Sequence, residues 1–226
     1  MNVKYLLMND VPPWENSLSF PLGRAGWLIV SLFLFPSLLF AAGIRDFLVP
    51  LLATSAALPA CIAPGKALGM KRISGRDIRF VFFAYLVWLV VSITATWGWK
   101  TFLSTFDIAY SPRQDFAELV ECNHNWMVRV SLFWAVCINT PIVEEVLFRR
   151  IIYSGLYRIH PAGAALGTSV LFSLVHFFLF GIPSLFLMGI FFQYTFLSRR
   201  NLWCAIFFHA LINTVSFLTI LYKEFI

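Results

Sequence analysis

Long apolar runs alternate with short basic segments along most of this chain. A membrane-spanning helix needs about 20 mostly apolar residues, and the first such run covers residues 25–44, headed by Trp27. Residues 47–65 form the second, where Pro50, Pro59 and Pro64 predict a kinked or broken helix. The third covers residues 80–99 and ends in Trp97 and Trp99, an aromatic belt at the interface. Residues 100–125 are polar, with Asp107, Asp115, Glu118 and Glu121, and read as an extramembrane loop with one amphipathic turn. Residues 126–157 read as one long helix containing Pro141. Residues 159–198 carry no formal charge and are too long for one span; Gly181-Ile182-Pro183 divides them into a helical hairpin. Residues 201–222 are the last span. The pattern predicts an all-α polytopic bundle of about seven transmembrane helices around a central polar cavity.

Composition turns that pattern into an exclusion. Of 226 residues, 60% are hydrophobic and only 12% charged, with 25 Phe and a mean hydropathy of +0.79, which leaves a membrane-embedded bundle and excludes a soluble domain. The net charge of +6 needs no nucleic-acid partner. With the N-terminus inside, Lys66, Lys71, Arg72, Arg76, Arg79, Arg149, Arg150, Arg199 and Arg200 all fall on the inner side, and the acidic 100–125 loop falls outside. The N-terminus is therefore expected in the cytoplasm and the C-terminus on the opposite side. Residues 1–23, with Asp10, Glu15 and three prolines, lack the basic-then-apolar layout of a signal peptide, so insertion should rely on the first span. Cys61, Cys122, Cys137 and Cys204 are scattered, form no CxxC, and read as small packing residues without a structural disulfide. Gly163 and Gly167 form a GxxxG that signals close helix packing. No repeat or linker is visible, so residues 1–226 read as one membrane domain with a polar-motif core at about 126–222.

Against this background the intramembrane polar residues stand out. Residues 130–143 are uncharged, and then Glu144 and Glu145 follow side by side. Carboxylates at bilayer depth cost several kcal/mol and normally face a bundle interior or a water-filled cavity. Arg149 lies four residues after Glu145, acid first, the spacing that pairs them on one helix face. Consecutive helical residues diverge by about 100°, so Glu144 points elsewhere, without a cation on its own helix. His176 falls inside the fifth span, and His209 and Asn213, at i,i+4, share one face of the seventh. Three helices can thus bring their polar groups to overlapping depths. His124 and His160 fall in loops and read as surface residues.

The three segments Glu144-Glu145-x-x-x-Arg149, Phe172-x-x-x-His176 and His209-x-x-x-Asn213, with Pro141-Ile142 leading in and Phe148 before the arginine, resemble the motifs of CAAX-type prenyl endopeptidases and their bacterial relatives. These form the CPBP (CAAX protease and bacteriocin-processing) family of glutamic intramembrane proteases. The resemblance covers roughly residues 140–216, about a third of the chain, and none of the first three spans. It implies that Glu144 is the general base that activates water together with His176. It further implies that His209 and Asn213 form the oxyanion hole and that Glu145 and Arg149 support the site. Such chemistry suits peptide hydrolysis, which needs a base for water and donors where charge develops on the carbonyl oxygen. The family often has Gly after the arginine; here Arg150 stands at that position and is expected to alter the inner mouth of the cavity.

Other readings stay open at this point. Glu144, His176 and His209 could form a His₂Glu zinc site, although HExxH is absent and Asn213 suits an oxyanion hole better than a metal shell. A non-enzymatic scaffold or bacteriocin-immunity protein would not need an intact set of such residues. A transporter with a proton-relay carboxylate predicts inverted repeats, which the sequence does not display. The expectation is an endopeptidase, with no cofactor, acting near the C-terminus or membrane-proximal part of a protein or peptide. The resemblance implies prenylated substrates in a eukaryotic setting, and leader peptides or C-terminal membrane-sorting tails in a bacterium. The short chain and compact loops favour a bacterial inner membrane.

Overall fold

The computed structural model describes residues 22–42, 48–61, 69–111, 115–157 and 160–223. Among them the chain forms helices and turns only, with no strand. We label the helices α1 (residues 22–41), α2 (Leu48–Cys61), α3 (Gly75–Thr105), α4 (Asp115–Cys122), α5 (Trp126–Tyr157), α6 (Pro161–Leu174), α7 (Ile182–Arg199) and α8 (Leu202–Lys223). Four of the apolar helices, α3, α5, α7 and α8, are long enough to cross a membrane, while α1, α2 and α6 are shorter. The chain is an integral membrane protein. The expected ends of the first two spans, residues 43–44 and 62–65 with Pro64, lie outside the described residues.

Local chemistry sets the helix boundaries. Ser74 and Asp77 form a reciprocal capping box at the start of α3. Asn125 caps α5 by accepting from the Met127 N–H at 2.9 Å. His160, expected as a surface residue, caps α6 with its Nδ1 accepting from Gly163 N–H. A 3₁₀ turn over Leu179–Gly181 separates α6 from α7, as Gly181-Ile182-Pro183 predicted. The amphipathic turn of the polar loop is α4, whose Val120 packs with Val128, Leu132, Cys137 and Phe217 of α5 and α8.

Several expectations need correction. α2 is not broken at Pro59, and Pro50 sits in its first turn, where a missing N–H costs nothing, so of the expected kink or break the break does not occur at these two prolines. α6 stops at Leu174, so His176 lies in the following turn rather than within a helix. Gly167 meets nothing within 4 Å, so the GxxxG makes no close contact there; the close approach is instead at Gly189. A β-carbon at Gly189 would lie 2.9 Å from the Ser169 Cα, so α6 and α7 meet almost backbone to backbone.

α7 is the hub of the bundle, packed against α3, α6 and α8. Ser92 of α3 and Ser184 of α7 share a hydrogen bond of 2.6 Å, and Asn139 of α5 donates to Ser55 of α2 at 3.1 Å. One main core runs from Leu28 and Ala57 through Phe148, Phe172 and Phe192 to Phe208. Outward, α3 presents Phe83, Val90 and Trp97 to the surroundings, apolar residues suited to lipid. All four cysteines are unpaired.

Candidate active site

The site is built on an irregular helix. α5 contains two π-helical stretches, Trp134–Asn139 and Val146–Ile152, on either side of the α-helical Thr140–Glu145. Such wide turns redirect backbone groups and recur at functional sites. In the first, the Thr140 N–H bonds back to Ala135 instead of Val136. The Val136 carbonyl, left without its α-helical donor, accepts from Asn213 Nδ2 of α8 at 2.8 Å.

Glu145 follows the same helix into the protein core. Its Oε2 lies 3.0 Å from Arg149 Nε, both side chains almost wholly buried. Arg149 also donates through Nη2 to the Gly189 carbonyl at 3.2 Å. Its guanidinium is enclosed by the rings of Phe148, Phe172 and Phe192 at 5.1–5.8 Å, a cation–π cage in a desolvated setting. The i,i+4 pairing read from the sequence is therefore present, even though a π-helical turn begins between the partners.

His209 stands between the two glutamates. Its Nδ1 is 3.0 Å from Glu145 Oε1, and its Nε2 is 4.0 Å from Glu144 Oε2. Phe192 stacks on the imidazole at 4.7 Å, and Phe172 meets it edge-on at 6.0 Å. The carboxylate at Nδ1 and the stacked ring fix its orientation. The sequence reading gave Glu145 to Arg149 alone; the structure makes Glu145 the link between Arg149 and His209.

Glu144 has the freer environment. Its side chain is 19% exposed, and Oε2 has no hydrogen-bond partner among the described residues. It lines a cavity of about 420 Å³ together with His176. His176 Nδ1 is 2.7 Å from the Phe172 carbonyl. A carbonyl can only accept, so Nδ1 carries the hydrogen and the neutral ring offers Nε2 as an acceptor. Phe172, between α5, α7 and α8, touches His176 at 4.8 Å as well as His209.

Of the residues singled out in the sequence, Glu144, Glu145, Arg149 and His209 form one contiguous cluster, and His176 shares the cavity with Glu144. Asn213 is held toward α5 by Val136. Arg150 is buried rather than at an open mouth, and donates to Ser154 at 3.4 Å. Phe192 and Gly189 carry no motif of their own and were not legible as site residues. Among the described residues, no group of three or more His, Cys, Asp and Glu side chains gathers as a metal site.

The segment that carries this cluster can be compared with known proteins. Residues 125–215 match the family described as Type II CAAX prenyl endopeptidase Rce1-like. They run from the cap of α5 into α8 and include every polar residue of the cluster. Through this segment the chain is similar to that family. A relative in Bacillus subtilis (strain 168), named "Putative membrane peptidase YdiL", is 36% identical over 75 residues. That stretch is 33% of this chain and 31% of YdiL, so the match covers about a third of the relative's length. No solved structure matches the chain. Helices α1–α4 lie outside the segment that the CPBP resemblance covers.

Proposed function

We propose that this protein is a glutamic-type intramembrane endopeptidase, with residues 1–226 acting as one membrane domain and the chemistry held in its 126–222 core. One observation carries the reading: Glu144 and His176 line the same cavity, while His209 reaches to 4.0 Å from Glu144. A water between Glu144 and His176 gives a proton to Glu144 as its oxygen attacks the substrate carbonyl carbon. The negative charge develops on the carbonyl oxygen, where the His209 ring is placed to donate, and Asn213 adds a second donor by turning from Val136. When the C–N bond breaks, Glu144 returns the proton to the leaving amine. Arg149 and Glu145 act through His209, holding its ring in place.

The substrate class proposed is a protein or peptide segment near a C-terminus or the bilayer surface, lipidated or carrying a membrane-sorting tail. The proposed setting is a bacterial inner membrane with a cytoplasmic N-terminus. Metal-free chemistry is part of the proposal, supported by Asn213 on the His209 face of α8, whose amide suits an oxyanion hole better than a metal shell. The test is purified protein in detergent or liposomes on a panel of hydrophobic peptides, compared with Glu144→Gln and His176→Ala. General-base loss should lower the rate by about 10²–10⁴-fold, and chelator should leave the wild-type rate unchanged. Wild-type rates in both variants would refute the assignment, and a chelator-sensitive rate restored by zinc would replace it with a metalloprotease.

A further inference from the structure

The wall facing Glu144 and His176 comes from outside the family-matched segment. Leu32, Phe33, Pro36 and Ser37 of α1 line the same cavity. α1 is distorted there: residues Val30–Leu34 form a π-helical turn, closed by the Phe35 N–H reaching back to Val30. Pro36 has no N–H to give the Leu32 carbonyl. Ser31 and Leu32 thus both lack the donor that a regular α-helix would supply. The wall carries no charge. Its one hydroxyl, Ser37, donates to the Phe33 carbonyl at 2.6 Å and so spends its hydrogen within α1. Across the opening, Phe177 follows His176 directly, 94% exposed and with φ at 49°, a backbone conformation unusual for a bulky residue.

We infer that α1 is the specificity wall of the site, receiving a non-polar side chain next to the scissile bond of an extended peptide. The inference rests on the catalytic reading above, and adds that selection and chemistry reside in different parts of the chain. Three observations support a side-chain pocket. The volume is in the range that holds a small ligand, and therefore a short extended segment rather than a folded domain. Leu32 and Phe33 offer apolar contact with no partner for a charged residue. Phe33 and Ser37 are exposed, so the groove is open to an incoming chain.

The test uses internally quenched peptides in detergent micelles, identical except for Ala, Leu, Phe or Asp on either side of the cleaved bond. Wild type should cleave the Leu or Phe peptide at least about 10-fold faster than the Asp peptide, in kcat/KM. The double variant Leu32→Ala/Phe33→Ala should narrow the Leu-over-Ala preference by about 10-fold, and Ser37→Phe should exclude the Phe peptide while still cleaving the Ala one. A second readout needs no turnover. In the Glu144→Gln protein, a peptide with benzoylphenylalanine at the varied position should cross-link to residues 32–37, mapped by mass spectrometry. Unchanged preferences in folded variants, or cross-links only outside α1, would overturn the inference; if no variant folds, the cross-link alone decides. An active Glu144→Gln protein would refute the catalytic assignment instead, leaving the cross-link to report on the wall.

Discussion

Two arginine–carboxylate pairs, one in the middle of the bundle and one at its edge, show that separation alone does not rank an ion pair. Arg199 Nε lies 2.6 Å from Asp77 Oδ1, with side chains 30% and 11% exposed. Arg149 Nε lies 3.0 Å from Glu145 Oε2, with side chains 1% and 0% exposed. Both guanidiniums sit over aromatic rings, Arg199 over Phe80 and Arg149 among three phenylalanines. The closer pair is the one whose loss should matter less. Water can take over for a missing partner at the edge, whereas in the interior the remaining charge is stranded.

The largest expected effect therefore comes from Arg149→Met. It leaves Glu145 charged and buried, a loss of about 3–5 kcal/mol, visible as a sharply lower melting temperature in detergent or as failure to fold. Adding Glu145→Gln should recover most of that loss, because the amide oxygen still accepts from His209 while the stranded charge is gone. A double variant that melts as low as Arg149→Met would show that packing of the guanidinium, not charge, dominates.

Next comes a variant that touches the interior pair only through its scaffold. Gly189→Val puts a β-carbon 2.9 Å from the Ser169 Cα and Cβ, and must push α6 from α7 while shifting the carbonyl that receives Arg149. Overpacking of this kind costs about 1–3 kcal/mol. The edge pair should not respond, since Arg199 lies ten residues further along α7 than Gly189. A melting temperature equal to wild type would mean the two helices can separate freely, against the close approach described.

The sequence carried unequal information about these regions. Seven apolar runs foretold where the apolar helices lie, because a bilayer demands long uncharged stretches and forbids most other structure. The Glu145–Arg149 pair was legible for a similar reason: only an i,i+4 partner in the same helix can be read without a fold. Glu145's second contact, with His209 64 positions later, was not. That contact requires the tilt of α8 against α5, which no local pattern specifies. The π-helical turns were only half-signalled. Pro36 and Pro141 mark two of them, but nothing local marks the third, after Glu145. The α1 wall was invisible because apolar residues facing a cavity and apolar residues facing lipid are spelled the same way. Asp77 and Arg199, 122 positions apart, were legible only as basic and acidic residues at one end of the bundle.

That edge pair gives the finest test of the comparison. Asp77 has two jobs: its Oδ2 accepts from the Ser74 N–H at 2.9 Å and from Ser74 Oγ at 2.6 Å, while Oδ1 meets Arg199. Arg199→Ala removes only the ion pair and its cation–π contact, a loss of about 1 kcal/mol or less. Asp77→Ala also removes the carboxylate half of the α3 capping box and should cost about 1–2 kcal/mol. Salt separates the two contributions. Raising ionic strength from 0.1 M to 1 M shortens the screening length from about 10 Å to about 3 Å, so the Arg199→Ala effect should shrink. Most of the Asp77→Ala effect should persist, because hydrogen bonds to Ser74 depend on contact geometry rather than on a field through water. If Arg199→Ala instead destabilised the protein as much as Arg149→Met, at either salt, exposure would not be what separates the two pairs. The contrast between edge and interior would then have to come from the helices they join.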